Sequence, residues 1–242
     1  MPENEAGRRP TWGRDAVVMP VVAALVATLI AWFAAGRALR AFDAAHEAQA
    51  SNPSPQIMHR PAVDTTGPWK TATVYGSSGL MLGLALGLAG GYAVRSIAAA
   101  VRGGLVGLLT GAVVGTGVGY ALGMLFARLY DSSMPANLPL VVAVRGGAAA
   151  ALGVVGGLAF GIARGGGRSI AAAVLGGLAG AVLGAVAGEL LNAIIFISAA
   201  SNQAFPTTEG TRLISLGLVA VLSTLGVVWS LRNQRISARP SL

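Results

Sequence analysis

Six apolar stretches, separated by shorter polar ones, run along this chain. They cover about 16–35, 73–94, 101–130, 140–163, 170 into the 190s, and 213–231. Each comes close to the ~20 residues a helix needs to cross a hydrocarbon core. Within 101–130, glycine stands at Gly103, Gly107, Gly111, Gly115, Gly119 and Gly123, always four residues apart. Only a helix places positions four apart on nearly one face. A bare glycine ridge has a use in lipid, where no hydrophobic effect draws apolar helices together and close backbone approach must do so. The same step recurs at Gly79, Gly83, Gly87 and Gly91, at Gly153, Gly157 and Gly161, and at Gly176, Gly180, Gly184 and Gly188. The pattern predicts an all-α fold: a polytopic membrane helical bundle of about six transmembrane helices, packed by glycine zippers.

The polar segments divide the chain. Residues 1–15 form a polar N-terminal tail, and 16–35 a first transmembrane helix retained as a signal-anchor. Residues 36–72 hold an alanine-rich helix extension to Ala50, then a loop in which Pro53, Pro55, Pro61 and Pro68 keep the chain extended or turning. Hairpins follow over 73–130 and 131–200, a loop and last helix over 201–231, and a tail over 232–242.

The two hairpins read as copies. Arg95–Val101 (RSIAAAV) recurs letter for letter as Arg168–Val174. Gly107, Gly111 and Gly115 then match Gly180, Gly184 and Gly188 at the same offset. Upstream, Gly83, Gly87 and Gly91 match Gly153, Gly157 and Gly161 once the extra glycines of the 164–168 turn are allowed for. A unit of two spans returns to its starting side, so the expectation is a tandem repeat of parallel orientation, unlike the inverted repeats of many transporters. The second copy departs from the first at Glu189 and Asn192, where the first has Thr116 and Gly119.

A ridge stepping by four advances about 40° per step. From Gly103 to Gly123 it turns by about 200°, so the expectation is that no single straight partner follows it and the third span meets different neighbours at its two ends.

Composition narrows the function classes. The chain of 242 residues is 54% hydrophobic and 11% charged, against about 25% charged in soluble domains. It has no cysteine, which excludes disulfides, thiolate nucleophiles and zinc–thiolate sites. The formal charge is +8, yet no basic block with interleaved aromatics appears, so nucleic acid is not an expected partner. The excess instead sets topology. Ten of the 17 basic residues fall on the side of both termini and the turns at 95–102 and 164–168. The positive-inside rule therefore puts both termini in the cytoplasm of a multi-pass protein of the cell membrane, such as a bacterial inner membrane. Trp12, Trp32, Trp69, Trp229 and Tyr130 sit at span ends, where an aromatic belt belongs.

Chemistry is sparse. His46 and His59, near Asp43, Glu47 and Asp64, lack metal-ligand spacing and read as solvated loop residues. Catalytic, cofactor and metal motifs are all absent, so no enzyme is expected; the Gly165–Gly167 run lacks the Lys-Ser/Thr of a phosphate loop. Glu189 is the one acid in an apolar span. It lies 21 residues beyond Arg168, about 31 Å of helix, and Arg145 of the antiparallel fourth span reaches a similar height. An Arg145–Glu189 ion pair near the outer interface, with Asn192 one turn along, is expected as a clasp, with an ion or substrate gate as the alternative. Arg95, Arg102, Arg164 and Arg168 are candidate contacts for anionic lipid headgroups. Polar residues inside the spans are few: Ser77, Ser78, Thr110, Thr116 and Asn192. That scarcity favours a structural or accessory membrane protein, self-associating or part of a larger assembly, over an oligomeric channel or small-solute transporter.

Overall fold

The computed structural model describes residues 15–51, 66–129, 138–195, 204–206 and 208–237. They form six α-helices: α1 (Asp15–Ser51), α2 (Thr66–Ala93), α3 (Ile97–Leu129), α4 (Leu138–Arg164), α5 (Gly167–Ile195) and α6 (Glu209–Ser237). All six are long and apolar enough to cross a membrane, so the chain has the build of a multi-pass membrane protein. Two of the prolines begin helices. Pro68 lies in the first turn of α2 and Pro139 in that of α4, where a missing N–H removes no helical hydrogen bond. For Pro68 this corrects the expected extended chain.

The two short turns differ in construction. After α2, Arg95 adopts φ +53° and Ser96 N returns to Gly91 O at 3.1 Å. Ser96 Oγ then accepts the amide of Ala99 at 3.2 Å, capping α3. After α4, Gly165 and Gly166 take φ +80° and +87°, conformations that glycine adopts without a Cβ clash.

α2, α4 and α6 touch one another and make the inner triangle of the bundle. Each outer helix sits in one groove of that triangle: α1 on α2 and α6, α3 on α2 and α4, α5 on α4 and α6. The inner helices run parallel; Gly79 lies on Leu152, and Gly90 on Phe160 further along both. The outer helices run against them. Phe160, Leu86, Val74, Val144, Val227 and Leu231 fill the centre. Large apolar residues such as Val22, Leu29, Phe33, Leu105, Leu109, Val113, Leu183 and Ile194 cover the outside, as lipid requires.

Glycines bring backbones into contact at three interfaces. Gly79 faces Gly111, Gly83 faces Gly107, Gly87 faces Gly103, and Gly91 faces Ala100. A Cβ at any of these would run into the opposing main chain. The α3 row continues with Gly115 on Tyr75, Gly119 on Thr71 and Gly123 on Pro68. One partner, α2, thus follows the whole row, contrary to the expectation of different neighbours at its two ends. A contact row of period four exceeds the 3.6-residue turn, so the pair stays in register by coiling right-handedly about each other. α4 lies along the same helix as well: Ala163 and Ala159 meet Gly103 and Gly107 at one end, and Val141 and Val144 pack with Phe126 at the other.

The second hairpin packs differently. Gly153 meets Gly177, Gly157 meets Ala173 and Gly161 meets Ile170. The row Gly176, Gly180, Gly184 and Gly188 instead meets α6 at Gly226, Leu222, Leu218 and Ser215. The cause lies in the turns. Arg95 stands in the first turn before α3 begins, whereas Arg168 is already inside α5. The extra glycines delay the recurring heptad by three residues, about 300° of helix rotation. That swings the glycine row off α4 and onto α6.

Candidate functional site

The two turns mark one end of the bundle; the polar side chains gather at the other. There α4 and α5 face each other antiparallel through small residues, Gly153 on Gly177 and Ala149 beside Ala181. One helical turn or two further along, that register brings together Arg145 and Glu189. Arg145 Nη1 donates to both carboxylate oxygens, at 2.9 and 2.8 Å. The Arg145 side chain is 5% exposed and that of Glu189 20%, so neither charge is solvated as it would be in water.

Asn192 does not join this pair. Its Nδ2 donates to Ser215 Oγ at 2.7 Å and approaches Thr211 O at 3.4 Å, tying α5 to α6. Its Oδ1 is buried and has no hydrogen-bond partner among the described residues. Further ties surround it. Trp32 Nε1 donates to Glu209 O at 2.9 Å, Arg40 pairs with the Glu209 carboxylate at 2.9 Å, and Lys70 pairs with Asp43 at 2.6 Å. Trp69 stacks at a tilt on Tyr120, with centroids 4.9 Å apart. Every helix of the bundle except α3 places a charged partner in this layer, and α3 carries Tyr120. Arg212, almost wholly buried, sits with Nη2 against Gly36, whose missing side chain makes the room.

Comparison with family models, with curated proteins and with solved structures finds no match. The residues themselves therefore carry the functional argument.

At the turn end, Arg95, Arg102 and Arg168 are exposed and Arg164 is half-buried. They share one end of the bundle. Among the described residues, no group of three or more potential metal ligands comes together. His59 lies outside the described residues, as do Trp12 and Tyr130; His46 lies within α1, and its side chain is not described.

The sequence reading missed the hydroxyls of α1 and α6: Thr28, Ser215, Ser223, Thr224 and Ser230. Two of them are spent locally: Thr28 and Thr224, like Thr71, Ser78 and Thr110 of α2 and α3, each return a hydroxyl to the carbonyl four residues back. Ser230 Oγ crosses to Ala172 O at 2.7 Å, binding α6 to α5. A small residue at this depth signals packing rather than chemistry, and nothing in its spacing distinguishes Ser215 from Ser230.

Proposed function

We propose that this chain is a structural or accessory protein of the cell membrane, its hairpins two parallel copies of one glycine-zipper unit, associating with itself or with other membrane subunits. The observation that carries the reading is the backbone-to-backbone contact at the α2–α3, α4–α5 and α5–α6 interfaces. Helices that meet main chain to main chain leave no room for solute between them. The hydroxyls bonded back to their own helices offer a passing ion nothing to bind. The Arg145–Glu189 pair then acts as a clasp between α4 and α5. The basic turns anchor the opposite face, with Arg95, Arg102 and Arg168 on anionic headgroups.

Both termini lie in the cytoplasm on this reading, since arginine is concentrated at the turn end. The test is flux. Purified protein in liposomes should pass ions and small solutes no faster than protein-free vesicles. Conduction that is lost in Glu189→Gln would overturn the structural reading in favour of a channel or transporter.

A further inference from the structure

Two arginines of the polar layer are almost wholly buried, Arg145 and Arg212. Arg145 has Glu189. Arg212, only 2% exposed, has no such answer: among the described residues its side chain makes no ion pair and no hydrogen bond, and its Nε is buried and unsatisfied.

One face of α1 holds it in place. Trp32, Gly36 and Arg40 stand four residues apart, so they line one side of that helix. All three face the first turn of α6. Trp32 Nε1 donates to Glu209 O and Arg40 Nη1 to the Glu209 carboxylate, each at 2.9 Å. Between them, a Cβ at Gly36 would lie 3.2 Å from Arg212 Nη2. The charges that act on the Arg212 guanidinium are Glu209 and Arg40, of opposite sign, and these two already pair with each other. Their side chains are 57% and 64% exposed, so the buried guanidinium lies behind an ion pair that is open to the surroundings. Arg37, exposed, with its guanidinium 5.8 Å over the Phe33 ring, adds a further cation. Three arginines thus stand against one carboxylate, and the positive end of α6 adds to the excess.

The height of this cluster names the missing anion. Gly36 is 21 residues beyond Asp15, the start of α1, which is about 31 Å of helix and roughly one hydrocarbon thickness. The guanidinium therefore sits at the boundary where phospholipid phosphates lie. A buried charge without a partner is strongly disfavoured, and a planar guanidinium matches the oxygens of a phosphate.

We propose that Arg212, with Arg40 and Arg37 at its exposed edge, binds the phosphate of a phospholipid headgroup between the ends of α1 and α6. The site lies at the opposite end of the bundle from the basic turns. It is also independent of whether the chain conducts: flux in liposomes would sink the structural reading and leave this site standing.

The experiment compares Arg212→Met with the wild-type chain in two surroundings. In a maltoside detergent stripped of phospholipid the guanidinium has no anion, so Met should raise the melting temperature by about 2–4 °C. In nanodiscs of phosphatidylglycerol the variant loses the bound phosphate, so it should melt about 2–4 °C below wild type. The sign of the effect reverses between the two. Native mass spectrometry should find one phosphatidylglycerol fewer retained on Arg212→Met, while Arg95→Gln, at the other end, leaves the reversal intact. Inorganic phosphate added to the detergent at constant ionic strength separates the sources: no effect on wild type assigns the phosphate to lipid, and a rise in its melting temperature shows that free phosphate also fits the site. A loss with Met in both surroundings would reveal a partner within the protein, and a gain in both would reveal a charge that nothing answers; either result overturns the proposal. Arg212→Gln gives the same comparison if the Met variant does not fold.

Discussion

Arg95 holds the left-handed conformation at φ +53° that its counterpart turn gives to glycine. A Cβ in that region costs about 1–2 kcal/mol. Arg95→Gly should therefore raise stability by about 1 kcal/mol in neutral detergent, read as an increased melting temperature; a loss would mean that the guanidinium makes a contact outweighing the strain. The clasp behaves oppositely. Glu189→Ala leaves the Arg145 cation, 5% exposed, without its carboxylate, a change that typically costs about 3–5 kcal/mol. The double change Arg145→Met, Glu189→Leu should recover most of that loss, because it removes both desolvated charges together. Equal instability of single and double variants in thermal unfolding would show the charges to be independent. The pair was legible in the sequence because ionisable residues inside spans are so few that helix length alone sets their height. Asn192 was only half legible. Its bond to Ser215 depends on the α5–α6 register, and that register is written in no motif.

Among the helices, glycine rows were legible and their partners were not. A row with no side chains marks where a backbone will approach, but carries nothing that says whose. The Gly176–Gly188 row illustrates this: the repeat pairs it with α4, and the three-residue shift of the recurring heptad relative to the start of α5 turns it onto α6. The winding of α3 was misjudged for a related reason. A rigid straight partner loses a row that drifts by 40° per step, but two glycine rows facing each other can coil together and keep contact throughout. The contrast between faces of α3 is testable. Gly107→Leu drives a side chain into Gly83 and Ala159 and should destabilise the fold by several times the ~1 kcal/mol that replacing an exposed helix glycine gains. Gly117, exposed with nothing within 4 Å, should accept Leu with no loss of melting temperature. Similar losses at both positions would mean that a second chain covers the outer face of α3.

For the whole molecule, the arrangement of three inner and three outer helices follows from alternation of direction. Every hairpin places one helix inside and the next in a groove, so the inner set runs parallel and both short turns fall at one end. The six spans were legible as apolar runs, but the inner–outer division was not: α3 is as apolar as α4 yet far less buried, because burial here is decided by position in the triangle. The charge asymmetry between the two ends then makes a prediction about orientation. The chain has no cysteine, so single cysteines report without background. Arg168→Cys, exposed in the first turn of α5, should be labelled by an impermeant maleimide only from the cytoplasmic side. Ala44→Cys, exposed near the far end of α1, should be labelled only from outside. Both sites lie on exposed helix surface away from the glycine interfaces, so neither change disturbs packing. The reverse pattern would mean that the ion-pair layer faces the cytoplasm, and that the clasp is open to cytoplasmic partners rather than to the outer leaflet.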